Sequence, residues 1–372
     1  MKAAVCRQFG APLTIEDVTL AAPGPGQVQV RLAACAICHS DLLYADGAWG
    51  GDLPAVYGHE AAGVVTALGE GVARVKTGDR VVVTLIRACG ACPACENGLP
   101  VVCDDSHFSG LTSPLTDEAG QSLLQGLKTG AFAEAVTVDA SQVVAVPDDL
   151  PLDRAALLAC GVITGFGAVT NTARVEPGSA VVVIGTGGVG LNAVQGAVFA
   201  RADPIIAIDI NDEKLATARA FGATHAINSA NADATADVLA ITAGRGGDYV
   251  FITVGAKPAF DAAYGMLASG GAAVLVGMPA DGVMSQYELV ELASRNQRIL
   301  GSKMGMSHID ADIPRLVALY REGALKLDEL ITRRYRLEDI NEAIADVRRG
   351  AALRNVIVFD GPDGAGQAKS GG

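Results

Sequence analysis

The sequence is poor in aromatic residues and in positive charge, and no long apolar run interrupts it. One Trp, seven Tyr and nine Phe stand against 45 Gly, which points to tight turns and close backbone approaches rather than an aromatic scaffold. Twenty-eight basic against 41 acidic residues leave a formal charge of −13, and no Lys/Arg run supplies a basic face. A general binder of DNA, RNA or anionic membrane needs such a face, so none of these is an expected partner. The most apolar stretch, 155–169, is too short and too broken by glycine to cross ~30 Å of hydrocarbon. Met1–Arg7 lacks the apolar segment and cleavage site of a secretory signal, which predicts a cytoplasmic protein. Thiols stay reduced there, so the eight Cys point to metal or catalysis before disulfides.

Half of the 372 residues are apolar, enough for sizeable cores in about two domains at ~150 residues each. Up to about residue 150 the chain shows short β-like runs (27–32, 61–68 and 80–85) punctuated by Gly and Pro. From about 175, apolar β-branched runs at 181–184, 205–208, 226–227, 249–253 and 273–276, with a sixth near Ile299, alternate with helix-like stretches such as 213–221 and 257–267. Strands without polar alternation, separated by helices, predict a parallel sheet covered on both faces. Helices are expected over 313–320 and 337–347, then a closing strand over 355–359 and a small, polar, frayed tail over 361–372.

Three patterns carry chemistry. Gly185-Thr-Gly187-Gly188-Val189-Gly190 follows a buried strand and opens a helix. The glycines allow the tight turn, the approach of a pyrophosphate to the backbone and close packing of helix on sheet, with the helix N-terminus facing the anion. Asp209 closes the next strand at the distance of the acidic residue that accepts the ribose hydroxyls and repels a 2′-phosphate, favouring NAD over NADP; the alternative is a helix-capping aspartate. Lys214 either flanks the adenosine ribose or is a solvated helix residue.

Cys89, Cys92, Cys95 and Cys103 lie within fifteen residues, the clustering with which one loop wraps a structural zinc through four thiolates; an iron–sulfur cluster or paired disulfides are the alternatives. Cys38, His59 and Cys160 are scattered, but together they offer the Cys₂His set of a catalytic zinc with an open fourth position. Asp41 then orients a ligand imidazole or else caps a helix, and Glu60 is a relay, a transient ligand or a buried structural carboxylate. Cys6 and Cys35 read as packing residues.

With these patterns in order from Met1 to about Phe359, the chain resembles the zinc alcohol dehydrogenases of the medium-chain dehydrogenase/reductase family. The specific stretches are Gly58-His59-Glu60-Ala-Ala-Gly63, the 89–103 lobe, Cys160-Gly-Val-Ile-Thr164-Gly, and 327–332 through 340–344. The resemblance implies an α/β architecture: a GroES-like, mostly-β catalytic domain (1–161 and 304–372) interrupted by a doubly wound Rossmann domain (162–303), with the active site in the cleft between them. It implies two zinc ions per chain, one catalytic and one structural, and NAD as cofactor. Ser40 starts the proton relay, Thr164 backs the nicotinamide, Val276 lies near the carboxamide, and Arg354 and His39 face the pyrophosphate, although a helix-start His without a ligand is equally simple. Trp49 and Leu85 fall where the family lines its substrate pocket, unless they are core. The implied reaction is reversible oxidation of a small alcohol to an aldehyde or ketone, in a homodimer or homotetramer.

Two departures stand out. The position where many members carry a relay histidine is Leu43, and the 104–129 region differs from the better-known members. Stretch 171–178 resembles the glutathione-dependent class, and His39 suits it, so a thiol-dependent formaldehyde dehydrogenase acting on an S-hydroxymethyl adduct is the alternative activity. A zinc-lobed binding protein without catalysis is the non-enzyme alternative; the −13 charge and the complete ligand set argue against it.

Overall fold

The computed structural model describes residues 1–105, 108, 112–350 and 352–360. The tail at 361–372 and part of the 104–129 region therefore lie outside the described residues. Two compact units divide the chain: one runs to Cys160 and resumes at His308, the other spans Gly161–Ser307. The family resemblance places these breaks at 161/162 and 303/304. The later return has a local cause: the turn Lys303–Met306 packs on the helix Gly161–Gly167, and a Cβ on Gly305 would stand 2.3 Å from the Ile163 carbonyl oxygen.

In the inserted unit, six parallel strands lie in the order His225–Asn228, Ile205–Asp209, Val181–Ile184, Gly247–Ile252, Leu267–Leu275, Arg298–Gly301. By order of appearance this is 3-2-1-4-5-6, the doubly wound arrangement whose switch point lies beside the first strand. Val181–Ile184 is central and buried throughout, which is why its sequence shows no polar alternation. Its register with Ile205–Ile208 on one side and Tyr249–Ile252 on the other is unbroken.

The other unit contains a closed barrel of Lys2–Cys6, Thr14–Leu20, Leu115–Asp117, Ser122–Gln125 and Ala55–Val56. Beside it a seven-stranded sheet runs Val143–Ala145, Arg80–Val83, Glu60–Leu68, Gln27–Ala36, Arg354–Val358, Ile331–Tyr335, and Ala135–Asp139 also pairs with Gln27–Ala36. Ile331–Tyr335 is a strand that the sequence reading leaves out. The helix Ile340–Arg348 buries Ile340, Ala343, Ile344 and Val347, an i, i+3, i+4, i+7 stripe, against the core around Tyr57, Phe132 and Ile357. Each large aliphatic side chain so buried contributes ~1.5–3 kcal/mol. Among the described residues no helix is long and apolar enough to cross a membrane.

Candidate active site

Cys38, His59, Glu60 and Cys160 come together in the discontinuous unit, each buried, with one potential ligand atom apiece and all four atoms within 4.8 Å of one another. Cys38 follows the strand Gln27–Ala36 and caps the helix His39–Ala45; His59 immediately precedes the strand Glu60–Leu68. Cys160 follows the helix Leu152–Leu157. Asp41 binds the Cys38 and His59 segments to each other. Its Oδ2 accepts the Cys38 N–H (3.1 Å), and its Oδ1 accepts the Gly58 N–H (2.9 Å) and faces His59 Nδ1 at 2.9 Å. Gly58 is required here: its φ is +93°, and a Cβ would stand 2.6 Å from the Phe132 nitrogen.

With Asp41 holding Nδ1, the neutral imidazole carries its proton there and leaves a lone pair on Nε2. That Nε2 is buried and without a hydrogen-bond partner in the protein, an arrangement a metal ion would complete. The electrostatics favour a cation at this point. Burial works against a charged His59, but Asp41 and Cys38 overcome it and hold its pKa well above the usual imidazole value. Contact with Cys160, reinforced by His59 and Arg354, draws the Cys38 thiol well below its ordinary range despite burial. Burial pushes Glu60 up to about 7 against the opposing charge of Arg354. Two thiolates and one imidazole are the donor set of a catalytic zinc, and they leave a coordination position open.

The second cluster is Cys89, Cys92, Cys95 and Cys103, whose sulfur atoms also lie within 4.8 Å of one another. Cys89 and Cys95 are 4.0 Å apart and Cys92 and Cys103 3.9 Å. A tetrahedral ion ~2.3 Å from each sulfur separates them by about 3.8 Å, whereas a disulfide needs about 2.05 Å. All eight cysteines are free thiols. Backbone N–H groups of Ala91 and Cys92 point at Cys89 Sγ, and that of Cys89 at Cys103 Sγ. Backbone N–H groups of Asp104 and Cys95 hold Cys92 down to about 6, favouring the thiolate. Both donor sets fit zinc.

In the inserted unit, Gly185 (φ +91°) turns the chain out of Val181–Ile184, and Gly187 caps the helix Gly188–Phe199. A Cβ at Gly190 would lie 1.8 Å from the Gly185 carbonyl oxygen, so this glycine serves packing. A Cβ at Gly187 would meet nothing within 4 Å, which leaves room for a phosphate at the helix N-terminus, with Val189 inside the first turn. Asp209 ends its strand and is not the helix cap; Asn211 takes that role, accepting the Glu213 and Lys214 N–H groups. Asp209 Oδ2 accepts the N–H (2.7 Å) and the hydroxyl (3.0 Å) of Thr186, and Oδ1 accepts the Ile210 and Asn211 N–H groups. Thr186, which the sequence reading passes over as a variable position of the glycine loop, thus holds the carboxylate in place.

The remaining candidates fall as follows. Ser40 is half-buried and His39 exposed at the start of their helix, and Leu43 is half-buried one turn on. Thr164 is buried and donates its hydroxyl to Met304 Sδ at 3.7 Å; Val276 is buried at the end of Leu267–Leu275, its N–H bonded to the Ile252 carbonyl. Lys214 is half-buried in the first turn of its helix. Trp49 is half-buried, edge-on to Tyr44 with ring centres 5.2 Å apart, and Leu85 is half-buried after the strand Arg80–Val83. Arg354 is 5% exposed, and its Nη1 lies 3.4 Å from Glu60 Oε1, so the guanidinium that the resemblance assigns to a pyrophosphate here faces the buried carboxylate of the Cys38/His59/Cys160 cluster. Cys6 and Cys35 are buried outside both clusters.

Residues 24–148 match the alcohol dehydrogenase GroES-like domain, and residues 188–322 match the zinc-binding dehydrogenase domain. The chain is 37% identical over 379 residues to the NDMA-dependent alcohol dehydrogenase of Amycolatopsis methanolica, covering 96% of this chain and 98% of that protein. It is 36% identical over 370 residues to the geraniol dehydrogenase of Castellaniella defragrans, covering 96% and 97% respectively. Its fold superposes on benzyl alcohol dehydrogenase from Acinetobacter calcoaceticus with a TM-score of 0.90 at 32% identity, covering 96% of this chain and 99% of that one.

Proposed function

The chain belongs to the zinc-binding alcohol dehydrogenases of the medium-chain family, and within it we propose an enzyme that oxidises a hydrophobic primary alcohol reversibly to its aldehyde with NAD. The observation that carries this reading is the buried Cys38/His59/Cys160 set with its unpartnered His59 Nε2. Bound there, zinc supplies the Lewis acidity that lets an alcohol lose its proton near neutral pH, and NAD supplies the hydride acceptor. Cys38, His59 and Cys160 are the ligands, and Asp41 fixes the imidazole tautomer. Arg354 offsets the charge of Glu60 behind them.

Ser40 Oγ takes the hydroxyl proton. Leu43 cannot pass it on, so the next acceptor is a ribose hydroxyl or water. The second cluster, Cys89, Cys92, Cys95 and Cys103, leaves no position open to substrate and holds a second zinc that fixes the lobe. In the inserted unit, Gly185, Gly187, Gly188, Val189 and Gly190 cradle the pyrophosphate. Asp209 accepts the ribose hydroxyls and disfavours a 2′-phosphate, with Lys214 at the ribose, Thr164 behind the nicotinamide and Val276 at its carboxamide. His39 is assigned to the pyrophosphate as a hydrogen-bonding ring.

The relatives named for geraniol and benzyl alcohol make allylic and benzylic primary alcohols the first substrates to test, with Trp49 and Leu85 as apolar lining. We place the protein in the cytoplasm as a homodimer or homotetramer. Met278, Val283, Met284, Leu289 and Val290 are exposed in one stretch of the chain that precedes the edge strand Arg298–Gly301, which supports assembly; Met284→Asp then shifts the sedimenting species to a smaller one.

The test is NADH formation by zinc-loaded enzyme with benzyl alcohol, geraniol and ethanol, against formaldehyde plus a thiol. Turnover of the free alcohols supports the reading; turnover confined to the thiol adduct moves the protein to the formaldehyde class. A second reading rests on the NDMA-dependent relative: turnover that requires NDMA and no added NAD. The same assay with NDMA in place of NAD separates them.

A further inference from the structure

One buried charge has no part in the site just described. Asp153, in the first turn of the helix Leu152–Leu157, is 0% exposed. Its Oδ2 accepts Arg334 Nε (2.8 Å) and Nη2 (2.7 Å), and both of its oxygens accept Arg154 Nη1 at 2.8 Å. Arg154 Nε donates to Asp328, whose other oxygen accepts the Tyr320 hydroxyl. A buried ion pair is a poor source of net stability because desolvation offsets its attraction, and its best-attested use is to fix a register.

The topology shows which register. The helix that carries Asp153 ends at Leu157 and delivers Cys160 three residues later. Arg334 sits on Ile331–Tyr335, opposite Val356; Val356 is opposite Ala36, and Ala36 is opposite Glu60. One row of the sheet therefore runs Arg334, Val356, Ala36, Glu60. Two residues beyond Ala36 is Cys38, and one before Glu60 is His59. The Arg334–Asp153 pair closes a ring that starts at Cys160, passes through the helix and the sheet row, and ends at the other two ligands.

We propose that Arg334 and Asp153 form a positioning clamp for the metal centre, tying the helix that delivers Cys160 to the strand row that delivers Cys38 and His59 and so setting the gap between the two thiolates. The clamp rests on the proposed metal-binding role of Cys38, His59 and Cys160. Arg154 bridges Asp153 to Asp328, so two arginines and two aspartates balance in charge, and of these arginines Arg334 alone joins the strand to the helix, through two donors on one oxygen.

The test uses the full chain loaded with Co²⁺, whose ligand-field and thiolate charge-transfer bands report each site, together with the rate of metal release to a chelator. Arg334→Gln is expected to shift the bands of one of the two cobalt ions and to speed its release ~10-fold, the low end of what losing a group bonded directly to a ligand costs, with the second ion released at the wild-type rate. Arg334→Lys keeps the charge but loses the two-point grip and is expected to fall between. Asp153→Asn, which keeps the shape, is expected to reproduce Arg334→Gln and guards against a folding defect peculiar to one variant. Unchanged bands and release in folded Arg334→Gln overturn the clamp, as does faster release of both ions in proportion to lost thermal stability. His59→Ala separates the two levels. If it fails to remove one cobalt, the metal-site reading falls and the clamp with it; if it removes one that Arg334→Gln leaves untouched, only the clamp falls.

Discussion

Asp41→Asn replaces one oxygen of a fully engaged carboxylate with an NH₂ group and leaves the volume unchanged. In the native site three donors converge on Asp41: the Cys38 N–H at 3.1 Å, the Gly58 N–H at 2.9 Å and His59 Nδ1 at 2.9 Å. An amide has one acceptor oxygen, so one side must meet a donor head-on. With its oxygen toward Gly58 and His59, the Asn side chain strands the buried Cys38 N–H at a cost of ~1–3 kcal/mol. Turned the other way, it donates to Nδ1 and moves the imidazole proton to Nε2, the atom proposed to bind metal. Either outcome weakens metal binding by ~10–100-fold, or about 1.4–2.7 kcal/mol. The assay is chelator competition resolved by site, with melting temperature measured in parallel. A folded Asp41→Asn protein whose zinc affinity at this site stays within about twofold of wild type would refute the role given to Asp41 in holding the site.

Other expected outcomes follow from separate parts of the chain. Gly187→Ala has space for its methyl group, so melting is unchanged while the KM for NAD rises several-fold; Gly190→Ala drives a methyl group into the Gly185 carbonyl and lowers the melting temperature by several degrees. Cys103→Ser removes one zinc of two and destabilises the 89–103 lobe, while titration with NAD still shows wild-type affinity. Glu16 is held below its usual pKa by hydrogen bonds from Arg7, so its contribution is present above the unfolded value near ~4.3 and is lost as pH falls through the lower folded value. Glu16→Gln therefore costs ~0.5–1 kcal/mol in denaturant melts at pH 7, and the gap to wild type closes below about pH 4.

What the linear sequence reveals depends on how local its cause is. Val181–Ile184 is legible because both faces of a central parallel strand are buried, leaving an uninterrupted apolar run before the glycines. The two candidate donor clusters are legible because few other roles gather four cysteines in fifteen residues, and because the resemblance brings Cys38, His59 and Cys160 into one set. Ile331–Tyr335 is hidden for the opposite reason: it is an edge strand with Thr332 and Arg333 exposed, and its sequence carries no apolar alternation. Asp153 reads as an ordinary helix-start acid because its partner Arg334 comes 181 residues later. The resemblance assigns Arg354 to a pyrophosphate, and only the fold shows that Glu60 also lies beside it.

The most direct test of the account is to compare alcohol-dependent NADH formation by zinc-loaded wild type and His59→Ala while NAD binding is followed independently by fluorescence titration. The account predicts turnover in the wild type, none above background in His59→Ala, and the same NAD affinity in both. Full turnover in His59→Ala, or no NADH from any alcohol with the zinc-loaded wild type, would contradict it.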